Sequence, residues 1–148
     1  EAGALLIFND RLDVALAVDA DGVHLGRDDF PLEDARRLAP ELILGASSHS
    51  VAQARDAELR GASYVNIGPL FPTSTKAWGR DFLGLGGLRS IAASIDVPFT
   101  VMGGIKAQHV PELVAAGART IAVVSAVTAA ADPGQAAREL LELIRAGH

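Results

Sequence analysis

Short apolar runs alternate with longer amphipathic stretches along the whole chain. Each run is apolar or β-branched at nearly every position, which is typical of strands in a parallel sheet that is covered on both faces. Their alternation with helical patterns indicates repeated βα units. The runs predict six strands, at 5–9, 22–26, 42–47, 64–68, 99–103 and 120–125.

The amphipathic stretches predict a helix after each strand. The last helix has the clearest signals, because Asp132 can cap it and Pro133 suits its first turn. Leu140, Leu141 and Ile144 then share one of its faces. The predicted helices span 12–18, 31–38, 51–60, 85–95, 107–116 and 132–146.

Six βα units of about 25 residues fill all 148 positions, so we predict an α/β fold with a single domain, 1–148. A closed (βα)8 barrel typically has about 250 residues, whereas a doubly wound open sheet can stop at five or six strands. The six units fit an open sheet or a barrel that lacks two units. A dinucleotide-binding fold would place a glycine-rich turn after the first strand. Asn9, Asp10 and Arg11 stand there instead, so we discount that fold.

Composition excludes several classes of function. The chain is 49% hydrophobic and 21% charged, with a net charge of -5, so it can bury a core but offers no basic surface for nucleic acid or anionic lipid. The absence of cysteine excludes disulfides, thiolate metal ligands and a thiol nucleophile. No apolar run approaches the roughly 20 residues of a membrane helix. We predict a cytoplasmic protein that binds neither nucleic acid nor membrane.

Carboxylates follow the first two predicted strands. Asp10 comes after the first strand, and Asp28 and Asp29 come after the second. The carboxyl ends of parallel strands share one face, where ligands bind. Two carboxylates there could share Mg²⁺, which takes one or two protein carboxylates and completes its shell with water and substrate phosphate. Alternatively, Asp10 and Asp29 cap the helices that follow them.

Glycines and a serine end the last two predicted strands. Gly103 and Gly104 follow the fifth strand, and Val124 and Ser125 close the sixth. Barrels often bind phosphate at this point through backbone N–H groups. The alternative is that the two glycines form only a tight turn.

The stretch GPLFPTSTK, residues 68–76, follows the fourth predicted strand. Thr73, Ser74 and Thr75 offer hydroxyl groups, and Lys76 offers a point charge that suits phosphate. Such a loop suits a phosphorylated ligand, although the same run is also typical of a solvated loop. Trp78 lies either over a ligand or in an exposed loop.

The histidines do not form a recognisable catalytic arrangement with other residues. His24, inside GVHLG, is interpreted as a histidine with satisfied nitrogens rather than a general acid or base, and His49 as part of a helix start. No Ser-His-Asp or Cys-His arrangement can be argued from the sequence.

These motifs together resemble thiamine phosphate synthase, also called thiamine-phosphate pyrophosphorylase, in the superfamily that includes the thiazole tautomerases. The resemblance covers essentially all 148 residues and is carried by LLIFNDRLDVALAVDADGVHLGRDD, GASSH, YVNIGPLFPTSTK, VMGGI and AGARTIAVVSAV. It implies a (βα)8 barrel of TIM type, of which this chain holds units 3 to 8.

The resemblance implies a transferase in thiamine biosynthesis. Its substrates would be 4-amino-2-methyl-5-(diphosphooxymethyl)pyrimidine and thiazole phosphate, and its products thiamine phosphate and pyrophosphate. In the family's dissociative chemistry the C–O bond to the diphosphate breaks first, and the thiazole nitrogen captures the resulting pyrimidine-stabilised cation. No protein nucleophile or strong base is needed.

The resemblance also implies roles for individual residues. Asp10 and Asp29 would bind Mg²⁺ on the leaving diphosphate. Asn9, Ser47 and Lys76 would contact the pyrimidine diphosphate, with Ser47 and Lys76 as the catalytic pair. The residues that would bind the thiazole phosphate are Thr73, Thr75, Gly104, Val124 and Ser125.

The chain departs from the family at its beginning. It opens at Glu1 and enters an apolar run within four residues, so we expect it to be cut from a longer chain. The family's first two units, with a Gln-x-Arg-x-Lys motif that binds diphosphate, have no match here. A barrel without them would leave strand edges unpaired and predicts a homo-oligomer, with little or no activity. Sequence upstream of Glu1 that contains the motif would restore the enzyme.

Two alternatives remain open. A thiazole tautomerase has a histidine where this chain has Pro69, and proline cannot transfer a proton, so the synthase is favoured. The other alternative is a non-catalytic protein that binds a phosphorylated ligand, or a barrel fragment that another chain completes.

Overall fold

The computed structural model describes residues 3–73, 79 and 81–147, and it has an α/β fold. Five strands form a parallel sheet in which the strand order follows the chain. The strands are β1 (Ile7–Asn9), β2 (Gly22–Leu25), β3 (Ile43–Ser48), β4 (Tyr64–Ile67) and β5 (Phe99–Val101). The helices are α1 (Leu12–Ala17), α2 (Leu32–Leu38), α3 (Val51–Leu59), α4 (Gly84–Ala92), α5 (Val110–Ala115), α6 (Ser125–Thr128) and α7 (Pro133–Ala146), with a 3-10 turn at Ala107–His109 before α5.

Five of the six predicted strands are confirmed, and the sixth is much shorter than predicted. Over 120–125 the structure has one isolated parallel bridge, between Ile121 and Val101. The backbone leaves the extended conformation at Val124, where ψ is -82°, and enters α6 at Ser125. An apolar run of this length does not by itself distinguish a strand from a short buried segment followed by a helix.

The residues group into two compact units. The first comprises Glu1–Asn66 and Ser94–Pro98, and the second Ile67–Ala93 and Phe99–His148.

The core of the first unit lies between the β1–β3 segment of the sheet and the helices α1 and α2. Val23, Leu25 and Leu44 on the strands are buried against Leu12 and Ala15 of α1. Burying a side chain such as leucine or valine stabilises a fold by about 1.5–3 kcal/mol. The register places Asn9, His24 and Gly45 side by side on neighbouring strands, which sets the position of the site described below.

One hydrophobic cluster of the second unit is formed by α5 and α7. Val110 and Val114 of α5 pack against Leu140 of α7. The predicted cap of α7 is confirmed, because the Asp132 carboxylate accepts a hydrogen bond of 2.8 Å from the Gln135 N–H and Pro133 occupies the first turn. None of the helices within the described ranges is long and apolar enough to cross a membrane.

Candidate active site

The turn after β1 fixes the first predicted metal ligand. Asp10 has a positive φ of 67°, a conformation that Asp and Asn tolerate better than other non-glycine residues. The Asp10 N–H donates to the His24 carbonyl oxygen at 2.8 Å, so the turn extends the pairing of β1 with β2. The N-cap of α1 is Arg11, without a side-chain cap. The N-cap position thus lies one residue beyond Asp10, whose side chain is exposed at the strand end.

Asp29 closes a tight turn after β2. Its Oδ2 accepts a hydrogen bond of 2.6 Å from the Gly26 N–H. The N-cap of α2 is Pro31, so Asp29 does not cap that helix. Within the described part of the chain, Oδ1 has no hydrogen-bond partner and is available to a ligand.

The first unit offers carboxylate oxygens as possible metal ligands. The described residues contain no group of three or more histidine, aspartate or glutamate side chains arranged to hold a metal. Mg²⁺ does not require such a group, since it keeps several waters and is often bound by one or two carboxylates with substrate phosphates. Asp10 and Asp29 fit that description by type of donor.

A hydrogen-bonded set of side chains connects β2, β3 and β4, and we call it the Tyr64–His24–Ser47 network. The His24 Nδ1 lies 3.0 Å from the Tyr64 hydroxyl oxygen, and the His24 Nε2 lies 2.9 Å from the Ser47 Oγ. The His24 and Tyr64 rings are tilted, with centroids 5.7 Å apart. All three side chains are half-buried. The interpretation of His24 as a satisfied histidine is confirmed.

Burial sets the charge state of this network. It lowers the pKa of the His24 imidazole, and the Asp29 carboxylate opposes that shift only in part. Burial also raises the pKa of the Tyr64 hydroxyl. Both groups are therefore neutral near pH 7. A neutral imidazole has one donor nitrogen and one acceptor nitrogen.

Tyr64 is a site residue that sequence reasoning missed. Gly45 lies on β3 next to His24 on β2, and a Cβ at Gly45 would come within 2.3 Å of the Tyr64 hydroxyl oxygen and 2.5 Å of the His24 Nδ1. Because Gly45 has no side chain, the His24 and Tyr64 rings have room to contact each other. A glycine in a strand, flanked by a histidine and a tyrosine on the adjacent predicted strands, was the available signal.

The end of β3 carries a buried serine and leads into the cap of α3. Ser48 is fully buried and its hydroxyl donates to the Asn66 carbonyl oxygen at 3.3 Å, which makes Ser48 a structural residue. Ser50 caps α3 by accepting from the Gln53 N–H. His49 precedes that cap, so its place at a helix start is confirmed.

In the second unit, the two glycines after β5 make room for the segment that follows β4. A Cβ at Gly103 would lie 2.4 Å from the Pro69 Cβ, and one at Gly104 would lie 2.3 Å from the Pro72 carbonyl oxygen. Both glycines have positive φ, at 97° and 65°. The Phe71 N–H donates to the Gly103 carbonyl oxygen at 3.0 Å. These contacts bring residues 69–72 against the end of β5.

A ring stack supports the same segment. Phe71 stacks on His109 with centroids 4.1 Å apart. The His109 Nδ1 accepts a hydrogen bond of 3.1 Å from the Lys106 N–H. The stack fixes Phe71 two residues before Thr73, and the sequence contained no signal that paired these two rings.

The predicted thiazole phosphate ligands are only partly described. Thr73 ends the described segment, and Val124 is exposed just before Ser125 at the start of α6. Ser125 shares a cavity of about 300 Å³ with Lys106 and Glu139. The predicted residues Thr75 and Lys76, and Trp78, lie outside the residues that the structure describes.

The fold is an α/β fold with a parallel sheet, and proteins of this class typically bind ligands at the carboxyl ends of the strands. The family model of thiamine monophosphate synthase matches residues 1–127. The chain belongs to the thiamine monophosphate synthase family, as its motifs predict, and the named relatives in that family are transferases.

Individual relatives support this assignment. The chain is 49% identical over 143 residues to the thiamine-phosphate synthase of Chloroflexus aurantiacus, covering 97% of this chain and 66% of the relative. It is 49% identical over 142 residues to that of Archaeoglobus fulgidus, covering 96% and 67%. The solved thiamine phosphate pyrophosphorylase from Pyrococcus furiosus superposes with a TM-score of 0.89 at 44% identity, covering 97% of this chain and 69% of that one. This chain spans about two thirds of the length of the relatives that it matches.

Proposed function

We propose that this protein is a thiamine phosphate synthase. It joins 4-amino-2-methyl-5-(diphosphooxymethyl)pyrimidine to thiazole phosphate and releases pyrophosphate. The observation that carries the proposal is the 49% identity to a thiamine-phosphate synthase over 97% of the chain. Polar residues at the ends of β1, β2 and β3 agree with a phosphorylated substrate in the first unit.

In the first unit, Asn9 and Ser47 bind the pyrimidine diphosphate. Asp10 and Asp29 hold Mg²⁺, which neutralises charge on the leaving diphosphate when it is bound. The exposed position of Asp10 and the Oδ1 of Asp29 support this assignment. The Gly26 N–H bond keeps the Asp29 carboxylate in one orientation, which lowers the entropy lost on binding.

In the second unit, Thr73, Thr75, Gly104, Val124 and Ser125 bind the thiazole phosphate, and Lys76 binds the diphosphate. The close approach of residues 71 and 72 to Gly104 supports a shared phosphate site, because it brings the segment before Thr73 to the glycine turn. Lys106 lines the cavity beside Ser125 and offers a positive charge to a phosphate there, although Glu139 at the same cavity offsets that charge.

The reaction is a dissociative substitution at the pyrimidine methylene carbon. The C–O bond breaks, its electron pair leaves with the diphosphate, and the pyrimidine ring delocalises the positive charge. The thiazole nitrogen then donates its lone pair to form the C–N bond. The protein contributes positioning and charge stabilisation, with Ser47 and Lys76 at the departing diphosphate.

The proposal includes a (βα)8 barrel architecture. The chain forms six units of a (βα)8 barrel, and the remaining units come from residues outside it. Its coverage of about two thirds of each relative supports this division. Without those units, the sheet edge at β1 would instead favour association into a homo-oligomer through strand pairing. Pro69 offers no proton to transfer, which disfavours a tautomerase.

The test is the rate of pyrophosphate release by the protein, with any sequence that precedes Glu1 in it. We expect release only when both substrates and Mg²⁺ are present. Each substrate alone, and both substrates with a chelator, serve as controls. A folded protein that binds both substrates and releases no pyrophosphate would contradict the proposal.

A further inference from the structure

We propose that Tyr64 and His24 are positioning residues that hold the Ser47 hydroxyl as a hydrogen-bond donor toward the diphosphate of the substrate. This inference rests on the proposed function for its ligand. The geometry of the network stands independently of that function, and measurement of the His24 tautomer tests the geometry alone.

In the part of the chain that the structure describes, the three side chains of the Tyr64–His24–Ser47 network have no competing partners. Within the described residues, the Tyr64 hydroxyl bonds only to His24 Nδ1, and the Ser47 hydroxyl bonds only to His24 Nε2. Each hydroxyl can donate once and accept from others. The direction of the two hydrogen bonds therefore depends on which nitrogen of His24 carries the proton.

Tyr64 decides that direction. A half-buried hydroxyl loses free energy if its hydrogen has no acceptor, and Nδ1 is the acceptor within reach at 3.0 Å. Ser47 would have a second acceptor in the bound diphosphate, whereas Tyr64 has only Nδ1 among the described residues, so we assign the Tyr64 O–H to Nδ1 and the imidazole proton to Nε2. The Nε2–H then donates to the Ser47 Oγ at 2.9 Å.

Ser47 is left with an uncommitted O–H. A hydroxyl that binds an anionic oxygen must donate its proton, and in this arrangement the Ser47 proton is not used by His24. In the opposite arrangement the Ser47 hydroxyl would donate to Nε2 and could only accept from a ligand. The Tyr64–His24–Ser47 network thus selects the form of Ser47 that suits a diphosphate, and a pre-oriented donor stabilises developing charge without reorganisation.

The backbone keeps the network in place. The register sets His24 beside Gly45, and Gly45 leaves the space through which Tyr64 reaches the imidazole. The His24 carbonyl oxygen accepts from the Asp10 N–H at 2.8 Å. The backbone of His24 is therefore held by Asp10, a proposed metal ligand, and its ring is held by Tyr64.

The first experiment measures the tautomer of His24 directly. Protein labelled with ¹⁵N-histidine is studied by two-bond ¹⁵N–¹H correlation near pH 7, and the His24 signals are assigned by their loss in His24→Gln. We expect the Nε2–H form in the wild type, with a shift toward the other tautomer in Tyr64→Phe. A Nδ1–H form in the wild type, or an unchanged tautomer in Tyr64→Phe, would overturn the inference even if the protein is an active synthase.

The second experiment is a double-mutant cycle on turnover of the pyrimidine diphosphate. Tyr64→Phe removes one oxygen atom, and we expect it to lower kcat/KM about tenfold, the effect of one hydrogen bond to a charged group. In a Ser47→Ala background the same change should have no further effect. Equal losses in both backgrounds would show that Tyr64 does not act through Ser47. The KM for thiazole phosphate should stay the same throughout.

Conservative replacements of His24 provide the matched control. The Gln amide nitrogen reaches the position of Nε2 and can donate to Ser47, whereas the Asn amide reaches only the position of Nδ1. We expect His24→Gln to retain more activity than His24→Asn at similar thermal stability. The reverse order would contradict the inference. If neither the wild type nor any variant makes product, the proposed function fails, and the tautomer measurement still decides the role of Tyr64.

Discussion

Two aspartates after neighbouring strands are held in different ways, although the sequence presents them alike. Asp10 stands on a turn with positive φ, with its N–H bonded to His24. Asp29 uses one carboxylate oxygen to close its own turn at Gly26. The backbone thus fixes Asp10, and the side chain itself fixes Asp29. Substitutions at the two positions should therefore differ in their effect on folding.

Asp10→Asn tests the metal-ligand role without a change in backbone preference, since asparagine also tolerates positive φ. We expect stability to be retained and activity to fall on the order of 100-fold, because a charge that acts at the departing diphosphate is removed. The dependence of the rate on Mg²⁺ should shift to much higher concentrations. Asp13→Asn is the matched control, because Asp13 is exposed and pairs with Arg11. An unchanged Mg²⁺ titration in Asp10→Asn would contradict the role.

Gly45→Ala tests the space between the two rings of the Tyr64–His24–Ser47 network. The added methyl group would lie 2.3 Å from the Tyr64 hydroxyl oxygen, so one ring must move, at a cost of about 1–3 kcal/mol. We expect a lower free energy of unfolding in urea and a lower activity. Gly86→Ala is the control, because a Cβ there meets nothing within 4 Å in α4 and should stabilise the helix by about 0.5–1 kcal/mol. Equal stability of the two variants would contradict the close contact.

At the scale of elements, the predictable parts are those set by local pattern. The strands β1 to β5 followed from apolar runs, and α7 followed from Asp132, Pro133 and its apolar face. The sixth strand did not follow, because only the bridge at Ile121 continues the pairing before α6 begins. The contacts of Tyr64 with His24 and of Phe71 with His109 join residues 40 and 38 positions apart. Such contacts depend on register and on gaps left by glycine, which periodicity does not encode.

The cap of α7 gives a prediction at this scale. Asp132→Ala removes the acceptor for the Gln135 N–H, and we expect it to lower the free energy of unfolding by about 1 kcal/mol. Asp132→Ser keeps a capping oxygen and should cost less. Urea denaturation of both variants measures the difference, and equal values for the wild type and Asp132→Ala would count against the cap.

At the scale of the whole molecule, the predicted ligands are distributed over both units. The first unit carries Asn9, Asp10, Asp29 and Ser47, and the second carries Thr73, Gly104 and Ser125. We therefore expect the first unit to dominate binding of the pyrimidine diphosphate and the second to dominate binding of the thiazole phosphate. Calorimetric titration of Ser47→Ala and Ser125→Ala with each substrate measures this. Ser47→Ala should weaken only pyrimidine diphosphate binding and Ser125→Ala only thiazole phosphate binding, by about tenfold, and the opposite pairing would contradict the assignment.

The proposed reaction is tested most directly by ³¹P NMR of the protein mixed with both substrates and Mg²⁺. We expect the diphosphate signals of the pyrimidine substrate to be replaced by inorganic pyrophosphate, with one equivalent of thiamine phosphate formed for each pyrophosphate. Inorganic phosphate in place of pyrophosphate, or both substrates unchanged in the presence of folded protein, would contradict a thiamine phosphate synthase.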